Sequence, residues 1–127
     1  MSESRKNLRK QCDRLWSEII RSRIFCERCG KPANNPHHII GRANYNLRWN
    51  IRNGCLLCAY CHVFGSHSAH NDPLGFMEWL KSNRPDDYEY LKWKRNEPVH
   101  RIDYEVTLIV LKEALREIKC SAGSKRS

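Results

Sequence analysis

Cys26-Glu-Arg-Cys29-Gly30, Pro36-His37-His38-Ile-Ile-Gly41-Arg42, Leu47-Arg48-Trp49-Asn50-Ile-Arg52-Asn53-Gly54, Cys58-Ala-Tyr-Cys61-His62 and Ser68-Ala-His70-Asn-Asp72-Pro73 follow one another along a single stretch of the chain. Two chemistries are interleaved in it. Cys26 with Cys29, and Cys58 with Cys61, form two Cys-x-x-Cys pairs. Such a turn aims both sulfurs at one point, and two turns close a tetrahedron around zinc. Cys55 also precedes Cys58 by three residues, so the register of the second pair has an alternative in the spacing alone. The total of seven cysteines is odd and no leader segment is visible, which favours reduced thiols in an intracellular, cytoplasmic setting over a disulfide framework.

The second chemistry is histidine. Five of the six histidines, His37, His38, His62, His67 and His70, lie between positions 37 and 70, and His100 stands apart. A single histidine is usually a surface or packed residue. Clustering beside a thiolate framework favours a metal site. Adjacent residues on a strand face opposite ways, so His37 and His38 are expected to take different roles.

This combination resembles the HNH endonucleases of the ββα-metal fold, in the small zinc-stabilised form common in bacteriophages and prophages. The resembling residues run from Cys26 to Trp79: His-His-x-x-Gly-Arg, Leu-Arg-Trp-Asn, Asn-Gly-x-x-Leu-Cys-x-x-Cys-His, and Ser-Ala-His-x-x-Pro-x-x-Phe-x-x-Trp. The resemblance fixes Cys58 with Cys61 as the second pair. It implies His38 as general base, His37 as a ligand of a catalytic ion, Asn53 as the brace of the loop holding the base, and His62 as the first ligand on the helix. The last ligand usually stands four residues later, where this chain has Ser66. Val63 to Ala69 reads as an insertion, and His70 is favoured as that ligand, with His67 as runner-up.

The implied activity is a metal-dependent DNA endonuclease or nickase. A neutral imidazole can take a proton from water near neutral pH, and one divalent ion (Mg2+, Mn2+, Ni2+ or Zn2+) would stabilise the phosphate and the leaving oxygen. The four-thiolate zinc site, being closed, is structural. Arg42, Arg48 and Arg52 are the candidate DNA contacts, with double-stranded DNA the expected partner. Two readings compete: a zinc-ribbon DNA-binding module without catalysis, and a structural zinc protein working through its terminal helices. Neither needs the His-His doublet.

The rest of the chain sets the frame. Its length fits one domain, residues 1–127, of α+β class and mainly helical. The formal net charge of +9 favours a polyanionic partner. No apolar run approaches membrane-spanning length. Leu8, Cys12, Leu15, Trp16, Ile19 and Ile20 recur at helical spacing, predicting a helix from about Lys6 to Arg23 after loose residues 1–5. This helix closes the first segment, 1–25, ahead of the zinc and ββα-metal core, 26–70. Leu47-Arg48-Trp49 is expected to be the return strand of the His-His hairpin. In segment 71–120, Asp72 and Pro73 start a helix to about Ser82. Asp86 and Asp87 cap another from Tyr88 to Lys94, and Tyr104 to Lys119 forms the last. Trp79 and Trp93 read as packing residues. Val106, Ile109, Val110, Leu111, Leu115 and Ile118 supply the apolar face of the last helix, ahead of a loose basic tail, 121–127. The oligomeric state is open.

Overall fold

A computed structural model of the protein describes residues 2–124. The fold is α+β. Helix α1 (Glu3–Arg21) leads into the first cysteine turn, and strand β1 (Asn35–His38) pairs antiparallel with β2 (Gly54–Leu57). A π turn (Tyr60–Phe64) follows, and helices α2 (Pro73–Asn83), α3 (Pro85–Lys94) and α4 (Tyr104–Ser124) complete the chain. Among the described residues no helix is long and apolar enough to cross a membrane.

Helix α1 begins earlier than its apolar stripe predicts. Ser2 caps it, its Oγ accepting from the Arg5 amide, with Glu3 in the first turn and Arg21 in the last. Those charges suit the helix dipole. Its buried stripe of Cys12, Leu15, Trp16, Ile19 and Ile20 packs against Tyr104, Leu108, Leu111 and Leu115 of α4 in the larger core. That stripe of α4 places Val106, Ile109 and Val110 on the opposite side, where they are exposed. The broad apolar face expected for α4 is therefore only partly buried. The helix also runs past Lys119 to Ser124, so part of the expected tail is helical; residues 125–127 lie outside the described residues.

The return strand is β2, not Leu47–Trp49. Residues 47–49 form a turn in which the Leu47 and Arg48 amides both donate to the Asn44 carbonyl. Leu47, Arg48 and Trp49 are all buried, whereas a strand would alternate. Asp13 of α1 makes this possible. Its carboxylate takes two hydrogen bonds from the Arg48 guanidinium, at 3.0 and 2.8 Å, and a third from the Trp49 indole at 2.9 Å.

The hairpin lies directly on α1. A Cβ at Gly54 would sit 2.2 Å from Ile20 Cδ1, so this position admits only glycine at the observed approach. Arg84 fastens the other side, donating to the carbonyls of Gly54 and Arg52 and to the carboxylates of Asp87 and Glu27. It is also the residue before α3, whose first position is Pro85. Asp86 and Asp87 thus sit inside the first turn rather than capping it, and Asp87 serves Arg52 and Arg84. Trp79 is half-buried against Phe76, but Trp93 is 63% exposed and does not pack as expected.

Candidate metal centre

The first cysteine turn is built on backbone. The Cys26 amide donates to Lys31 O, and the Gly30 amide to Cys26 O, with Gly30 at φ 81°. That left-handed conformation suits glycine. The Glu27 amide donates to Leu56 O, which fixes this turn to β2. From the end of β2 the chain enters the second turn, where the Cys61 amide reaches Cys58 Sγ at 3.5 Å. The sulfurs of Cys26, Cys29, Cys58 and Cys61 all lie within 4.8 Å of one another, and Cys29 and Cys58 are 3.6 Å apart. Two thiolates on one zinc, at about 2.3 Å each, stand roughly 3.8 Å apart in a tetrahedron. The four cysteines could hold a structural zinc ion. Cys55 is not among them. It is fully buried in β2, and its thiol is pushed up by burial and then by Glu27.

Burial alone would raise the Cys26 thiol. Backbone N–H groups of Cys58, Cys29 and Arg28 outweigh it and bring it down to about 7. Amides aimed at sulfur favour the thiolate, which is the metal-binding form.

A second cluster stands one residue away in sequence. His37 comes from β1, opposite Cys55; His62 follows Cys61 in the π turn; His70 ends the turns after it. One ring nitrogen from each lies within 4.8 Å of the others, and Nε2 of His62 and Nε2 of His70 are 3.0 Å apart. Two imidazole nitrogens on one ion at about 2.0–2.1 Å stand roughly 2.9–3.4 Å apart, so this donor set could hold a metal ion. The His70 amide donates to His62 O and the Ala69 amide to Cys61 O, which sets the two turns side by side. His67 is outside the cluster, 82% exposed, with Nδ1 3.7 Å from an Asp72 carboxylate oxygen.

The helix expected to carry His62 is a single π turn. Its hydrogen bond from the Gly65 amide to Tyr60 O is 2.8 Å. Turns then carry the chain to Asn71, and the Asn71 side chain holds them by donating to Val63 O and Gly65 O.

His38 faces the other way from His37. Its ring stacks on Trp16, with centroids 3.8 Å apart and planes 10° from parallel. Its Nε2 lies 2.9 Å from the Arg48 carbonyl. A carbonyl only accepts, so Nε2 carries the proton and Nδ1 keeps a free lone pair. Burial lowers the pKa of His38, and the charges of Arg42 and Arg48 lower it further. His37 is pulled down to about 3, by burial first and then by His62 and His70, and His62 is lowered by burial and by His70. All three are neutral near pH 7, as ligands and bases require. His37, His38, His62 and His70 line one cleft of about 340 Å³ with Pro36, Gly41 and Arg42.

Asn53 is wholly buried. Its amide donates to Ile40 O and Leu47 O, and its oxygen accepts from the Ile40 amide at 2.7 Å. It ties together the two ends of the loop between His38 and the Arg48 carbonyl. Of the three arginines, Arg42 alone stands open at the cleft, 60% exposed and 3.5 Å from Asp13. Arg48 is 8% exposed, and its guanidinium is spent on Asp13. The Arg48 guanidinium is therefore a fold contact, a correction to its expected place against DNA. Arg52 stacks on Tyr90 and pairs with Asp87.

No family model matches this chain, nor does any curated protein or solved structure. Chemistry and geometry alone carry the functional reading. Two parts of the site escaped the sequence. Trp16 read only as core, because its stripe position gave no sign of the ring above it. Asp13 gave no signal, since its hydrogen-bond partners Arg48 and Trp49 lie 35 and 36 positions downstream.

Proposed function

We propose that this protein is a metal-dependent DNA endonuclease of the HNH type, cutting one strand at a time. The observation that carries the reading is the cleft itself. Three imidazoles converge on one point, and a fourth, fixed by a carbonyl and a stacked indole, shares the space.

Each residue then has a task. His37, His62 and His70 would hold a divalent ion, leaving open positions, as a catalytic centre needs. When bound, that ion supplies Lewis-acid stabilisation of a phosphoryl oxygen and of the leaving oxygen. Arg48 O holds the Nε2 proton of His38, so Nδ1 is the atom that accepts a proton from water. Trp16 limits rotation of that ring. Asn53 keeps the spacing between the ring and the carbonyl that orients it. Arg42 offers a guanidinium to a phosphate entering the cleft. The donor set lacks carboxylate. Imidazole suits zinc, nickel and manganese, whereas magnesium would depend on substrate and water oxygens for most of its coordination.

The test is cleavage of supercoiled plasmid by protein that keeps its thiolate-bound zinc, with each metal added in turn and His38→Ala alongside. Conversion to open circles by the parent, and a loss of 10²-fold or more in the variant, is the expected result. A folded parent that binds DNA but cuts nothing under any metal, on plasmid or branched DNA, would leave a zinc-ribbon binding module.

A further inference from the structure

We infer that the exposed flank of α1 is a phosphate-tracking surface that seats a DNA duplex beside the histidine cleft. This rests on the nuclease reading for the identity of the polyanion, although it concerns binding alone.

Lys6, Lys10, Arg14, Ser17 and Arg21 follow one another at spacings of three or four residues, which places them on one ridge of the helix. From Lys6 to Arg21 the ridge is about 22 Å long, roughly six base pairs of B-form rise. Two contacts tie this side of α1 to the segment that forms the cleft. Asp13 meets Arg42, and Arg21 donates to Asn34 O. The ridge therefore borders the free edge of β1, where Arg42 extends it towards the imidazoles.

Several of the other basic residues are already paired. Arg23, Arg48, Arg52, Arg84, Lys94 and Arg116 each have a carboxylate partner. The side chains of Lys6, Lys10 and Arg14 have no ion-pair or hydrogen-bond partner among the described residues. From Arg28 to Asn71 the sequence contains no Asp or Glu. The acids of α1 are Glu3 at its start, Glu18, and Asp13, which is engaged by Arg48 and Arg42. An unneutralised straight row beside an acid-free segment suits a phosphate backbone. The ridge has no aromatic residue, and surfaces for unpaired strands interleave aromatics for stacking. That selects a duplex over a single strand.

The experiment compares two triple variants that remove the same charge from different places. One is Lys6→Gln, Lys10→Gln, Arg14→Gln. The other is Lys92→Gln, Lys112→Gln, Lys119→Gln on the exposed sides of α3 and α4. Binding to a short DNA duplex is measured across a salt series without added divalent metal, after thermal melts confirm that both variants fold. The ridge variant should lose at least tenfold more affinity than the control at low salt. Its slope of log K against log salt should fall by about 3. Equal losses in the two triples would reduce the effect to net charge and overturn the proposal. So would an unchanged ridge variant, or equal affinity for single-stranded DNA or an RNA duplex. A parent that binds through the ridge but never cuts upholds this inference and removes the nuclease reading.

Discussion

The thiolate cluster and the histidine cluster stand next to each other and are built on opposite plans. The cysteine turns are set by backbone, with amides aimed at the Cys26 and Cys58 sulfurs and the first turn fixed to β2. All four donors of a tetrahedron are present. The histidines come from a strand, a π turn and a following turn, supply three donors, and leave one side open on a cleft that holds His38 and Arg42. The first arrangement could complete an ion's coordination; the second could not. The two are nonetheless joined, because Cys61 and His62 are consecutive and the next two turns hydrogen-bond across them. The unfinished centre takes its geometry from the finished one, so loss of structure should pass from cysteines to histidines and not back.

That asymmetry can be broken most forcefully at Cys61. Structural zinc is worth about 10–16 kcal/mol in small domains. Cys61→Ser should abolish both centres, with circular dichroism and metal content both collapsing. His62→Ala should keep one zinc per chain and a near-parental melt. A Cys61→Ser protein that still binds a metal through its histidines would end the idea of a one-way dependence.

A smaller effect sharpens the account of how His38 is held. Asp13→Ala strands the buried Arg48 guanidinium, which should cost about 3–5 kcal/mol in urea unfolding. It should also loosen the turn that supplies the Arg48 carbonyl. Replacing Asp13 by Leu and Arg48 by Met together should recover most of that stability.

Gly54→Ala tests the seat of the hairpin on α1. With a Cβ 2.2 Å from Ile20 Cδ1, overpacking of about 1–3 kcal/mol is expected. Ile20→Ala in the same chain should relieve part of it, read as non-additivity in a double-mutant cycle.

The mildest test is acid. His37 has a folded pKa of about 3, below its unfolded value near 6.5, so the unfolded chain binds the extra proton between these limits. Its neutral form stabilises the fold above pH 6.5, and this contribution drains away as pH falls towards 3. Protein without a metal in the histidine cluster should lose stability over this window, and His37→Asn should flatten that limb. Cleavage, if His38 is the base, should fall on the acid side with a midpoint below the ordinary histidine range, because burial lowers His38 too.

The pattern of these effects follows what local spacing encodes. The cysteine pairs and the helical stripe of α1 were legible because a turn or a 3.6-residue period states its own geometry. His37, His62 and His70 were legible only together, since their meeting depends on β1 and the π turn lying side by side. Leu47–Trp49 misled because two apolar residues flanking an arginine imitate a strand. The half-buried carboxylate that lets Arg48 turn inward lies on α1, outside any local window. Trp93 misled in the other direction: an aromatic on a short helix reads as packed, yet it is largely exposed, with Lys94 and Tyr90 of its own helix beside it.

One feature of the core governs timing. The Cys12 thiol meets the Tyr104 carbonyl across a sequence separation of 92 residues, and the α1–α4 stripe continues from there to Leu115. Closing so long a loop is entropically costly and slow compared with forming hairpins and turns. The cysteine turns join residues 26–29 to 58–61 and the hairpin joins 35–38 to 54–57, shorter separations that should close earlier. On that ordering, the indole under His38 should be locked only after residues 104–115 have been synthesised and have docked. On the ribosome, the cysteine and histidine side chains should meet before His38 has its platform.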